Sequence, residues 1–249
     1  IDLSEGLMVL AGDAVRDFAA GIAREGTLDT ASALALDALA AYRDHLRDVL
    51  LPVSVASCGA GRAVIDDVLR HEHMLEETPE QIAAVGRSLI AETQAEMREL
   101  AAAMGAPDAD AAVAAVRLAR PTFDDLVPQY RAAVSAARDF IVSHDLVTLA
   151  GGAELKIEPT PACLRRVLPF AAYDPPGPFA ARQLGYYYVT PPPIGDAAGL
   201  AAHPIASMPI TGVHEAFPGH HVQLTRANRA PSLARRLAGT DASFAVFER

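Results

Sequence analysis

Eleven of the 18 prolines fall between residues 159 and 209. Proline lacks a backbone N–H and its ring crowds the carbonyl four residues back, so no long regular helix can run through that part of the chain. Two short runs inside it read as strand. Leu155-Lys156-Ile157-Glu158 alternates apolar and charged residues up to Pro159, and Tyr186-Tyr187-Tyr188-Val189-Thr190 is aromatic and β-branched up to Pro191-Pro192-Pro193. Prolines directly after the second run predict an edge strand, or a strand leading into a loop. The expectation is a mainly α chain, a multi-helix architecture with one small proline-bounded β-unit over about 155–190.

Upstream the pattern is helical. Leu7, Leu10, Ala14, Phe18 and Ile22 recur at helical spacing, then a break at Gly26-Thr27, then Leu34, Leu39, Tyr42, Leu46 and Leu50. A small-residue connection over 53–61 and a helix over 62–77 follow. Thr78-Pro79-Glu80-Gln81 combines an N-cap, a first-turn proline and a residue able to close a capping box, so a helix opens there and runs to about Met104. Further helices are expected over 108–118 and about 124–144, the latter turning Tyr130, Val134, Phe140 and Ile141 inward. The composition agrees: 51% hydrophobic but only 6% aromatic with no Trp. We therefore divide one region, 1–249, into a helical part at 1–145, a β and proline-rich part at 146–210, and two further helices at 211–249.

Those last helices carry the densest chemistry. In Val213-His214-Glu215-Ala216-Phe217-Pro218-Gly219-His220-His221-Val222-Gln223, three of the eight histidines fall within eight positions. The mechanistic template is His-Glu-x-x-His, in which two imidazoles one helical turn apart hold Zn²⁺ and the glutamate acts on water. Here Pro218 stands where the second histidine should be. On an unbroken helix of about 1.5 Å rise, His221 would share the face of His214 but lie roughly 10 Å farther along, too far for one ion. Pro218 and Gly219 permit a kink or bulge, and if the pair is looped out His220 falls back to the i+4 place. His214 and His220 are the predicted metal ligands, with His221 as the alternative second ligand or an oxyanion stabiliser, and Glu215 is the predicted general base.

Other polar residues have plainer readings. His71 and His73 at i and i+2 point to different sides of a helix and make a poor metal pair. Glu92, Glu96 and Glu99 read as a solvated face, and His144 as a partner of a helix C-terminus. His203 lies in a loop from which it reaches the cleft only in the less favoured reading. Cys58 and Cys163 form no metal or disulfide pattern and read as buried free thiols suited to a reducing compartment.

The stretch His214 to Gln223 resembles the signature of the bacterial family catalogued as domain of unknown function 885, relatives of the gluzincin type of zincin metallopeptidase. Thr78-Pro79-Glu80-Gln81-Ile82 with Gly86 and Glu96-Met97, Tyr173-Asp174-Pro175-Pro176, and Tyr187-Tyr188-Val189-Thr190-Pro191 are similar as well. The resemblance runs from about residue 50 to the end and implies a zincin-like architecture, a Zn²⁺ cofactor and hydrolysis of peptide or amide bonds. In that family a Glu-Gly-Trp-Ala-Leu-Tyr segment after the histidines resembles the source of a third, carboxylate ligand. Glu248 matches its first residue, without the Gly-Trp continuation, and Asp241 is the fallback. Substrate in zincins lies along an edge strand, so the tyrosine strand becomes the implied cleft wall and Tyr187 a candidate oxyanion donor. Family members are roughly twice this long, so the chain resembles a piece of one.

The net charge of −10 argues against nucleic acid or an anionic membrane as partner. No apolar run approaches the length of a bilayer span. No signal peptide is visible, although the chain starts at Ile1 rather than Met. A cytoplasmic zinc hydrolase of a peptide or small amide is the expectation. The competing readings are a catalytically inactive helical binding module, an incomplete fragment of such an enzyme, and a hydrolase of non-peptide amides or esters.

Overall fold

The computed structural model describes residues 2–16, 25–55 and 59–238. It is mainly helical with one small sheet. Helix α1 (Asp2–Val9) runs into a wider π turn, and α2 (Glu25–His45) ends in another. Gly26 and Thr27, expected to break the chain, lie inside α2. A single glycine inside a helix costs only about 1 kcal/mol against alanine. Helix α3 is short (Arg62–Asp67), extended by a π turn to Glu72 rather than to 77.

Helix α4 (Pro79–Ala103) starts where its cap dictates. The Gln81 N–H donates to Thr78 Oγ1 at 3.3 Å, and the Thr78 N–H donates to Gln81 Oε1 at 2.7 Å. It ends before Gly105, whose φ of 73° only glycine adopts readily. Helix α5 (Ala109–Leu118) is capped by Asp108, which accepts from the Ala111 N–H at 2.8 Å.

Helix α6 (Leu126–Ser143) is the spine of the core. Leu126, Tyr130, Val134 and Ile141 fall on one face and are buried. Phe140 is not among them: it is 56% exposed and stacks on His144 at 4.2 Å. Position 140 is turned off the stripe that 130, 134 and 141 share, so the inward expectation fails for it. The ring of His144 contacts the Phe140 carbonyl at 2.9 Å, the helix-end role its position implies.

The sheet is β1 (Glu154–Pro159), β2 (Ala171–Asp174) and β3 (Leu184–Val189), in the order β1-β3-β2. β1 runs parallel to β3, with Ile157 opposite Tyr187, and β2 antiparallel to it, with Tyr173 opposite Tyr187. The tyrosine strand is therefore central, which corrects the edge alternative drawn from Pro191-Pro192-Pro193; the other alternative, a strand leading into a loop, is the one found. Those prolines begin after the ladder has ended, so they remove no donor from it. The edges belong to β1 and to β2, a four-residue strand that carries no sequence signal of its own. Along β3, Gly185, Tyr187 and Val189 are buried, whereas Tyr186 and Tyr188 stack on each other at 5.5 Å on the opposite face.

Helix α7 (Ala197–Ala201) leads to α8 (Met208–Glu215), α9 (His220–Ala227) and α10 (Leu233–Ala238). The core joins the buried face of α6 to Tyr187 and Val189 of β3, to Met208, and to Ala216, Phe217 and Val222. Gly212 lets α8 approach α6 closely, since a Cβ there would stand 3.2 Å from Val134 Cγ2. Arg131 of α6 donates to the Ile157 carbonyl at 2.8 and 3.0 Å, tying the helix to β1. Among the described residues, no helix is long and apolar enough to cross a membrane.

Candidate metal centre

His214 and Glu215 are the last two residues of α8, and His220 and His221 the first two of α9. Between them the helix stops outright rather than kinking. Ala216 leaves helical geometry at φ −117°, ψ −84°, and the helix restarts after Gly219. The backbone groups freed by the stop are taken up locally. The Ala216 N–H donates to the Gly212 carbonyl at 3.0 Å, and the Gly219 N–H to the Val213 carbonyl at 2.9 Å. A Cβ at Gly219 would run into the carbonyl oxygens of both Val213 and His214. Glycine is thus required by close approach, because the chain folds back directly over the end of α8.

This fold-back brings the His214 and His220 rings to 4.6 Å between centroids at 76°. One ligand atom each from His214, Glu215 and His220 lie within 4.8 Å of one another. Two donors at about 2.1 Å from a tetrahedral zinc would be about 3.4 Å apart. The 4.8 Å within which all three donors lie is the outer bound of the set, to be compared with that spacing. The donor types fit: the two imidazoles suit Zn²⁺ as ligands, and the carboxylate beside them is within reach of a water held there. His214 is exposed, Glu215 half-buried and His220 buried, so the cluster opens to solvent on one side.

Gln223, one turn after His220, places its side-chain oxygen 3.2 Å from His220 Nδ1. Accepting from an Nδ1–H, it holds the tautomer in which Nε2 carries the lone pair, the orienting contact that metal-binding histidines usually have. Gln223 stood in the motif without a role; only its contact reveals one.

His221 does not join the cluster. It is 2% exposed, and its Nδ1 lies 3.0 Å from the Tyr173 hydroxyl. Burial pushes its pKa down to about 4. Of the two candidate second ligands, the structure brings His220 rather than His221 to His214. Tyr187 is fully buried, and its hydroxyl makes no hydrogen bond among the described residues. It lies beside Thr211, whose hydroxyl donates to the Ser207 carbonyl at 3.0 Å. Burial, then the neighbouring Tyr130 and Glu215, raise the Tyr187 pKa. Tyr187 thus sits within electrostatic reach of Glu215, as a core residue rather than part of an open wall.

His203 is in the interior, not at the cleft. It is 2% exposed, with Nδ1 3.0 Å from the Tyr130 hydroxyl and its ring stacked on Phe170 at 4.4 Å. His71 is exposed and belongs to no cluster of metal-ligating groups among the described residues. Cys163 is a half-buried free thiol. Cys58, Glu248 and Asp241 lie outside the described residues, and with them the expected third carboxylate.

The family model described as bacterial protein of unknown function (DUF885) matches residues 6–245. No curated protein matches the chain. A solved structure from Shewanella oneidensis, described as that of a putative lipoprotein of unknown function, is similar at 19% identity with a TM-score of 0.60. The similarity covers 94% of this chain and 46% of that one, so the chain spans less than half of its neighbour's length.

Proposed function

The chain belongs to the DUF885 family of bacterial proteins, and from that premise we propose that it is the metal-site region of a zinc-dependent hydrolase of peptide or amide bonds. The observation that supports this most is the convergence of His214, Glu215 and His220 within 4.8 Å across a helix break. The break buries Ala216 and Phe217 in the core, and it puts two imidazoles from different helices beside one carboxylate.

His214 and His220 would hold the ion, with Glu248 as the proposed third ligand carried over from the family resemblance. Zn²⁺ supplies a Lewis acid that lowers the pKa of a bound water towards about 7. Glu215, next to His214 and half-buried, accepts a proton from the attacking water. As the water oxygen bonds to the carbonyl carbon and the C–N bond breaks, Glu215 passes that proton to the departing nitrogen. Gln223 keeps the His220 ring turned for binding through Nε2. The zincin-like relationship belongs to the same proposal.

The test is a pair of variants analysed for metal content and for cleavage of a quenched peptide library. Glu215→Gln is expected to keep zinc and lose hydrolysis, and His214→Ala to lose both. Unchanged zinc content in His214→Ala refutes the assignment.

A further inference from the structure

From residue 216 to residue 240 the chain carries four arginines, Arg226, Arg229, Arg235 and Arg236, and no Asp or Glu, although its net charge is −10. Two of them are gathered at one loop. Val222, Arg226 and Arg229 follow one another at i, i+4 and i+7, in one line along α9 and just past its end. Arg226 Nη1 donates to the Thr148 carbonyl at 2.7 Å, and Arg229 Nη2 donates to the Gly151 carbonyl. Neither guanidinium is in an ion pair among the described residues. Each is thus pinned by a carbonyl while its charge stays uncompensated.

The same loop bounds a cavity of about 170 Å³, walled by Gly151 and Gly152, by Val222 and Thr225 of α9, and by Arg138 of α6. Arg229 Nη2 stands 4.0 Å from where a Cβ on Gly152 would be, which puts it against that wall. Arg138 is exposed and meets its neighbour Asp139 at a loose 3.8 Å. Glu154, the next acid along the chain, is taken by Arg182 at 2.6 and 2.9 Å. The loop's turn is closed by the Ala153 N–H, which donates to the Ala150 carbonyl at 3.2 Å, with Gly152 at φ 73°. Inside that turn the N–H groups of Gly151 and Gly152 donate to no group among the described residues. Successive free N–H groups in a turn make a concavity suited to an anion.

We propose that this cavity binds a small oxyanion, a phosphate or carboxylate group, between the Gly151-Gly152 turn and the guanidiniums of Arg138, Arg226 and Arg229. Planar guanidiniums match either group through paired N–H donors. The volume lies below the roughly 300–1,000 Å³ that takes a drug-sized ligand, so the occupant is small. None of His214, Glu215 and His220 lines the cavity, so the site stands apart from the metal cluster and does not depend on the hydrolase reading.

The experiment titrates ¹⁵N-glycine-labelled protein with sodium phosphate, sodium acetate and sodium chloride at matched ionic strength. The readout is the NMR shift of the Gly151 and Gly152 amides, with Gly151→Ala identifying the first. Phosphate or acetate should move both signals to saturation while chloride does not, and whichever binds tighter identifies the group. Arg138→Gln, Arg226→Gln and Arg229→Gln should each raise Kd by about tenfold. Arg235→Gln, on α10 and outside the cavity wall, should leave it within about twofold. Arg138 anchors no backbone group, so its variant reads binding without disturbing the loop. The proposal is overturned if neither oxyanion moves these signals beyond chloride. It is equally overturned if Arg235→Gln weakens binding as much as Arg229→Gln, because only a diffuse positive field would then remain.

Discussion

Gly219→Ala tests the helix break most directly. Cβ atoms in ordinary contact stand 3.4 Å or more from their neighbours, and one built on Gly219 falls inside that limit by more than 1 Å against two backbone oxygens. Backbone carbonyls cannot swing aside as a side-chain tip can, so the 213–214 peptide must retreat by about an ångström. His214 is attached to that peptide and His220 to the residue that pushes, so the shift passes straight into the spacing of the two rings. Metal sites tolerate only about 0.5 Å of such misplacement. We therefore expect zinc affinity to fall by about tenfold to a hundredfold, equivalent to about 1.4–2.8 kcal/mol. Overpacking should cost a further 1–3 kcal/mol or so of stability. Competition with a chromophoric chelator gives the affinity, and urea unfolding gives the stability. Gly86→Ala is the control, since nothing lies within 4 Å of a Cβ placed there. Zinc affinity within twofold of the unsubstituted protein would refute the account of the break.

Tyr187→Phe removes a buried hydroxyl without a hydrogen-bond partner among the described residues, so stability should hold or rise by about 1–3 kcal/mol; a lower urea midpoint would mean that the hydroxyl is satisfied after all. His203 is buried, and desolvation lowers its pKa, partly offset by a backbone hydrogen bond with Thr190. Above the unfolded value of about 6.5 both states are neutral, and below it the unfolded chain binds the proton first, so stability should fall as pH drops through 6.5. Urea midpoints from pH 7.5 to 5.5 should show less of this loss in His203→Gln, and an identical pH dependence would count against it.

The local chemistry of the chain was readable wherever a residue acts on its own neighbours. Thr78 with Gln81 closes its box because both partners lie within one turn, and Asp108 caps α5 for the same reason. The spacing of His214, Pro218, Gly219 and His220 required a broken helix if one ion was to be shared. It did not reveal that the helix would stop completely, because that depends on which carbonyls Gly219 packs against. Phe140 illustrates the limit of periodicity: it lies near the edge of an apolar stripe, and whether it is covered depends on what neighbouring elements reach.

Strand partners and side-chain contacts between distant segments were beyond linear reading. β3 owes its central position to Glu154–Pro159 and Ala171–Asp174, which flank it in space. Nothing in Ala171-Ala172-Tyr173-Asp174 alternates strongly enough to predict a strand. The Tyr173–His221 contact spans 48 residues of sequence, and Gly185 matters only because the Tyr173 ring from β2 crosses it. Composition, caps and the histidine pattern follow from residues and their immediate neighbours, so the amino-acid order sets them. Which histidine meets which partner is a matter of packing between elements far apart in the chain, and that is set when the sheet closes against α6, α8 and α9.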